Sequence, residues 1–109
     1  QSATNVGTDV TTLTVTLAAF GSATNGVAAA FGHNKNEVTT PDAGAGWAEI
    51  HDVSYGTPNE ALETQWRADQ DTTASASWVT AARALGIAIE IKEAVAAASD
   101  VDSMVTTTY

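Results

Sequence analysis

The side chains able to do chemistry in this chain are two histidines, thirteen carboxylates and three tryptophans; there is no cysteine. His33 and His51, with Asp42 or Asp52, are the donor types of a metal site. Their spacing matches no ligand signature, so they read as surface or loop-end histidines. Two Asp-x-Asp pairs, Asp69/Asp71 and Asp100/Asp102, offer oxygens that suit calcium. Neither continues into the spacing of a hand-type loop, and both read as solvated turn carboxylates. Glu49, Glu60, Glu63 and Glu90 are the acids from which a glycosidase pair would be drawn, but nothing in their spacing selects two.

No Gly-x-Ser-x-Gly, Gly-x-Gly-x-x-Gly or Walker motif is present, and Gly44-Ala45-Gly46 opens no helix that would hold a phosphate. The expectation is therefore a non-enzyme with no cofactor, no catalytic residue and no metal ligand. Trp47, Trp66 and Trp78 have faces on which a sugar ring can stack. In a chain with so few aromatics they read first as core anchors. The candidate contacts with a ligand or partner are Trp47, His33 and Asp42, in or beside the long polar stretch 34–46, since loops of that length often carry function.

These residues need elements to position them, and the apolar pattern supplies strands. Leu13, Val15 and Leu17 alternate with Thr12, Thr14 and Thr16, which predicts a strand with its leucines and valine inward. After the turn cluster 21–26 the small apolar run 27–33 reads as a buried strand. The stretch 47–53 is a strand with two similar faces, and 55–59 is a turn. Leu62, Thr64 and Trp66 share one face of the next strand; after a turn at 69–73, Ala76 and Trp78 share one face of another, 75–80.

The most regular stretch is 84–93. Leu85, Ile87, Ile89 and Ile91 recur at every second position, separated by Gly86, Ala88, Glu90 and Lys92. A helix reading also exists, because Ala84, Ile87, Ala88, Ile91, Ala94, Val95 and Ala98 fall on one helical face. Three β-branched isoleucines and an interior glycine favour the strand. As a strand it is expected to bury Leu85 and the isoleucines and to turn Glu90 and Lys92 to water.

At 109 residues the chain is one domain able to bury a core without staples. Thirteen acids against four bases give a net charge of −9, which repels phosphate backbones and anionic headgroups. Nucleic acid and membrane are thus not expected partners, and no apolar run has the length of a spanning helix. Gln1 in place of Met fits cleavage of a leader, maturation or a partial chain. Residues 1–9 are expected to form an N-terminal arm, 10–93 the domain, and 94–109 a second arm or a last strand. The sum is an all-β fold: a single antiparallel β-sandwich with jelly-roll-like connectivity.

In order, the chain shows Leu13-Thr14-Val15-Thr16-Leu17, then Val27 to Gly32, then a Pro-containing loop ending in Gly46-Trp47. Next come Leu62-Glu63-Thr64-Gln65-Trp66-Arg67-Ala68-Asp69, then Ser75 to Thr80, and Ala84-Leu85-Gly86-Ile87-Ala88-Ile89-Glu90-Ile91-Lys92. This succession resembles the small jelly-roll-like modules of tailed-phage virion proteins, over roughly residues 10–93. The resemblance implies a capsid decoration, head fibre or tail-associated module at a virion surface or outside the cell. It implies partners among major capsid or other virion proteins and a homo-oligomer, and carries no catalytic residue across. The expected assembly grips are Gln1, Ser2 and Val6 in one arm and Met104, Val105 and Tyr109 in the other. The alternatives are a glycan-binding module of an adhesin or secreted protein, or a subunit of an extracellular filament.

Overall fold

The computed structural model describes residues 1–94, so the expected second arm beyond Ala94, with Met104, Val105, Tyr109 and the Asp100/Asp102 pair, lies outside the described residues. Within them the chain is all β: β1 (Ser2–Thr16), β2 (Gly26–His33), β3 (Thr40–Pro41), β4 (Ala48–Gly56), β5 (Asn59–Arg67) and β6 (Thr73–Ile91). Every pairing is antiparallel, in the order β1-β6-β2-β5-β4, with β3 added to β6. The helix reading of 84–93 is thereby set aside. Alanines that would favour a helix elsewhere are held here between two neighbouring strands, and pairing overrides propensity.

Two long strands make one sheet into a sandwich-like fold. The first half of β1 pairs with the second half of β6, Ser2 opposite Ile89 and Gly7 opposite Ala84. The second half of β1 pairs with the first half of β6, Leu13 opposite Ala76 and Thr16 opposite Thr73. Between them the register shifts twice, at Gly7/Val10 and Val10/Thr12, and Asp9 takes a φ of 56°. Bulges bend and twist a strand, and here they fold the ribbon over. Gly7 sits inside that bend: a Cβ there would come within 2.7 Å of the Val10 side chain. The broad layer is then β1(first half)-β6-β2-β5-β4, and the narrow layer is β1(second half)-β6-β3.

The core lies between the layers. Leu13, Val15, Leu17, Ala74, Ala76 and Trp78 from the narrow layer meet Val27, Ala29, Phe31, Ala84 and Ala88 from the broad one. The inward assignment of Leu13, Val15 and Leu17 holds, as does the outward assignment of Thr12, Thr14 and Thr16. Residues 75–80 and 84–91 are not two strands joined by a link: β6 runs through 81–83 without a turn.

Three expectations are corrected. Leu85, Ile87, Ile89 and Ile91 are not core; they are 60%, 40%, 43% and 48% exposed, while Ala84, Gly86 and Ala88 are buried. The space between the layers is filled by Phe31 and Val15, which leave room only for small residues on the inner side of β6. In β5, likewise, Leu62 and Trp66 face out and Glu63 and Gln65 are fully buried. Residues 1–9, expected as an arm, lie in or next to β1, and Ser2 to Gly7 pair with β6. The Gln1 side chain clasps the backbone of Ala18, donating to its carbonyl at 2.9 Å and accepting from its N–H at 3.0 Å.

Candidate interaction face

The outer side of the broad layer is built in cross-strand rows fixed by register. One row runs Ser2, Ile89, Ala28, Trp66, Ala48. The next runs Thr4, Ile87, Ala30, Thr64, His51, and a third Val6, Leu85, Gly32, Leu62, Val53. Read down the strands, β2 contributes only Ala28, Ala30 and Gly32. It is a trough between the ridge of Leu85, Ile87 and Ile89 on β6 and the ridge of Leu62, Thr64 and Trp66 on β5. Ile50, at the register shift of β4, closes one side. The depression so formed is about 290 Å³, lined by Ala28, Ala30, Ile50, Thr64, Ile87 and Ile89.

Among the described residues, charge is almost absent from this side. By register the outward-facing charged residues are Arg83 on β6 and Glu60 on β5, of opposite sign. Both stand at the Leu85 end, beside a cleft of about 560 Å³ that Val6, His33 and Asn34 also line. A chain of net charge −9 therefore presents one sheet face with none of that excess. Monomeric proteins rarely leave an apolar patch of this extent to water, and such patches mark contact sites.

The inner side of the same strands is polar at its centre. Glu63 Oε2 accepts from Gln65 Nε2 at 3.0 Å, and the same nitrogen donates to the Ser75 carbonyl at 3.1 Å across the layers. Glu63 Oε1 has no partner among the described residues. Burial, with Glu49 and Asp52 nearby, pushes this carboxyl up to about 7 against the pull of the Gln65 hydrogen bond.

His33 is buried and stacks on the Trp78 indole, ring centroids 4.5 Å apart. Its Nδ1 accepts from the Lys35 N–H at 3.3 Å, so Nε2 carries the proton and donates to Thr39 Oγ1 at 2.8 Å. Burial lowers its pKa, partly offset by Glu37 and Asp52. Trp47 is half-buried against the core, and Asp42 is exposed, near Thr12. No hydrogen bond joins His33, Trp47 and Asp42. Trp78 anchors the core as expected, whereas Trp66 is 46% exposed on the outer face.

Asp69 and Asp71 are taken up by Arg67. Its Nη2 meets Asp69 Oδ2 and its Nη1 meets Asp71 Oδ2, each at 3.0 Å, while Nη1 also donates to the Ala45 carbonyl at 2.6 Å. The Arg67 hydrogen bond holds the Asp69 carboxyl below its ordinary range. Among the described residues no three His, Asp or Glu side chains converge on a point where a metal could sit.

The outer face was the part that sequence reasoning missed. The signal for it is Gly86 in the middle of the isoleucine run: a strand side reduced to Ala-Gly-Ala suits close approach from another element. No protein-family model, curated protein or solved structure matches this chain.

Proposed function

We propose that this chain is a non-enzymatic structural module of a virion surface, a capsid decoration, head-fibre or tail-associated part, that assembles through the outer side of its broad layer. One observation carries the assembly role: the trough and ridges of β2, β5 and β6 are apolar but for Thr64, open to solvent and without net charge in a strongly acidic chain. The virion placement rests on the succession of segments from Leu13 to Lys92. The grip moves from the expected arms to the sheet, because Gln1, Ser2 and Val6 are committed to β1 and its surroundings. Ser2 and Val6 stay relevant as the first residues of two rows of the face.

The test is the composition of particles. Mass spectrometry of gradient-purified virions from the producing culture should find this chain in many copies, and electron microscopy with a specific antibody should label the particle surface. Absence of the chain from purified particles would defeat the reading.

A second reading is favoured by Trp66, whose indole is half-exposed beside Ala28 and Ala48. Such a face suits a sugar ring. Binding on a glycan array that disappears in Trp66→Ala, with the far-ultraviolet circular dichroism unchanged, would establish it.

A further inference from the structure

We propose that the outer side of the broad layer closes against the same side of a second copy of this chain, β6 of each protomer seated in the β2 trough of the other. The inference rests on the reading of this side as an assembly surface and supplies its partner.

The shape is self-complementary. The β6 ridge and the β2 trough are hydrogen-bonded neighbours, Ile87 opposite Ala30 and Ile89 opposite Ala28. A two-fold axis parallel to the strands and midway between β6 and β2 carries each ridge onto the other copy's trough. Facing sheets pack about 10 Å apart with interdigitated side chains. Opposed isoleucine ridges would collide at that separation, whereas an isoleucine over an alanine fits it.

The extent is sufficient. About that axis four strands of each copy, β1, β6, β2 and β5, face one another; at about 4.8 Å per strand and some seven residues at about 3.3 Å they give a contact of roughly 19 by 23 Å, or about 440 Å² in projection. Corrugation raises the accessible area towards the roughly 600–1,000 Å² per partner of stable complexes. Electrostatics points the same way. Two chains of net charge −9 repel each other over most orientations, and this side lets them meet without stacking carboxylates. The partner supplies the matching apolar ridge, so no basic surface is required of it.

Sedimentation velocity of the full chain over a dilution series tests the pairing. Wild type should be a dimer that dissociates on dilution. Ile87→Glu places a carboxylate in the apolar contact, and Ala30→Trp fills the trough; each should weaken association at least about a hundredfold. Both positions face outward in the protomer, and circular dichroism checks that each variant is folded. Val79→Glu is the control: Val79 is 85% exposed, precedes the part of β6 that forms the face, and its replacement should leave the dimer intact. A wild type that is monomeric at every concentration overturns the proposal, as does a dimer that survives either face variant. A monomeric chain found on virions would sink the pairing and keep the virion role; a dimeric chain absent from virions would do the reverse.

Discussion

Gly86 lies under the Phe31 ring: a Cβ at position 86 would stand 2.7 Å from Phe31 Cδ1 and Cε1, and 3.0 Å from Val15 Cγ2. This contact decides which side of β6 is inside. With Phe31 and Val15 filling the space between the layers, the inner side of β6 has room for Ala84, Gly86 and Ala88 and no more. Leu85 and the isoleucines are thereby turned outward.

Gly86→Ala should therefore overpack the core and cost about 1–3 kcal/mol in urea denaturation. Phe31→Ala alone should cost about 3–5 kcal/mol through the cavity it leaves. Because the two side chains contend for one space, the double variant should lose less than the sum of the singles. Strict additivity would show that residue 86 does not touch the Phe31 ring.

Glu63 should set a pH dependence. The unfolded chain releases this proton near the ordinary glutamate value of 4.5, the folded chain near about 7. Below the lower value both states hold the proton and no stability is lost. As pH rises towards the upper value the unfolded state gains by ionising first. Stability falls, levelling off above about 7 at a loss of at most about 3 kcal/mol. Glu63→Gln removes the ionisation and keeps an acceptor for Gln65. Its stability relative to wild type should grow between pH 4.5 and about 7 and then level off. A difference that does not change with pH would mean that Glu63 ionises normally.

His33 acts in the opposite sense. The neutral ring is buried against Trp78, and its unprotonated Nδ1 accepts from the Lys35 N–H. A proton there costs burial of charge and breaks that bond, so the unfolded chain protonates first, at about 6.5. The stability contributed by neutral His33 is present above 6.5 and lost as pH falls through that value towards the lower folded-state pKa. A nuclear magnetic resonance titration should place the His33 imidazole below 6.5. A midpoint above 6.5 would contradict the packing described.

The strands were legible in the sequence because alternation has a period of two whatever lies on either side. Leu13, Val15 and Leu17 against three threonines also revealed the direction, since only one side of that strand is apolar. In 84–89 both sides are apolar, alanine and glycine against isoleucine and leucine, so period alone cannot choose, and Glu90, expected to turn to water, has a side chain only 4% exposed that accepts from Asn25 Nδ2 at 2.6 Å. Hydrophobicity favoured the larger residues, and space favoured the smaller. In β5 polarity points the wrong way, because Gln65 Nε2 bonds both Glu63 and the Ser75 carbonyl inside. Residues 1–9 look like a polar arm because Val6 is their only large apolar residue; their partner is more than seventy positions away, beyond the reach of local pattern. The candidate face was thus hidden by the same ambiguity that inverted β6.

The central claim, that the isoleucine side of β6 is covered by a second copy, is most directly tested by thiol reactivity. The chain has no cysteine, so a single thiol reports on one position. In Ile89→Cys the maleimide reaction should be slow in concentrated protein and fast after dilution; in Val79→Cys it should be fast throughout. Equal reactivity of the two thiols at every concentration, or protection at position 89 that dilution never relieves, would contradict it.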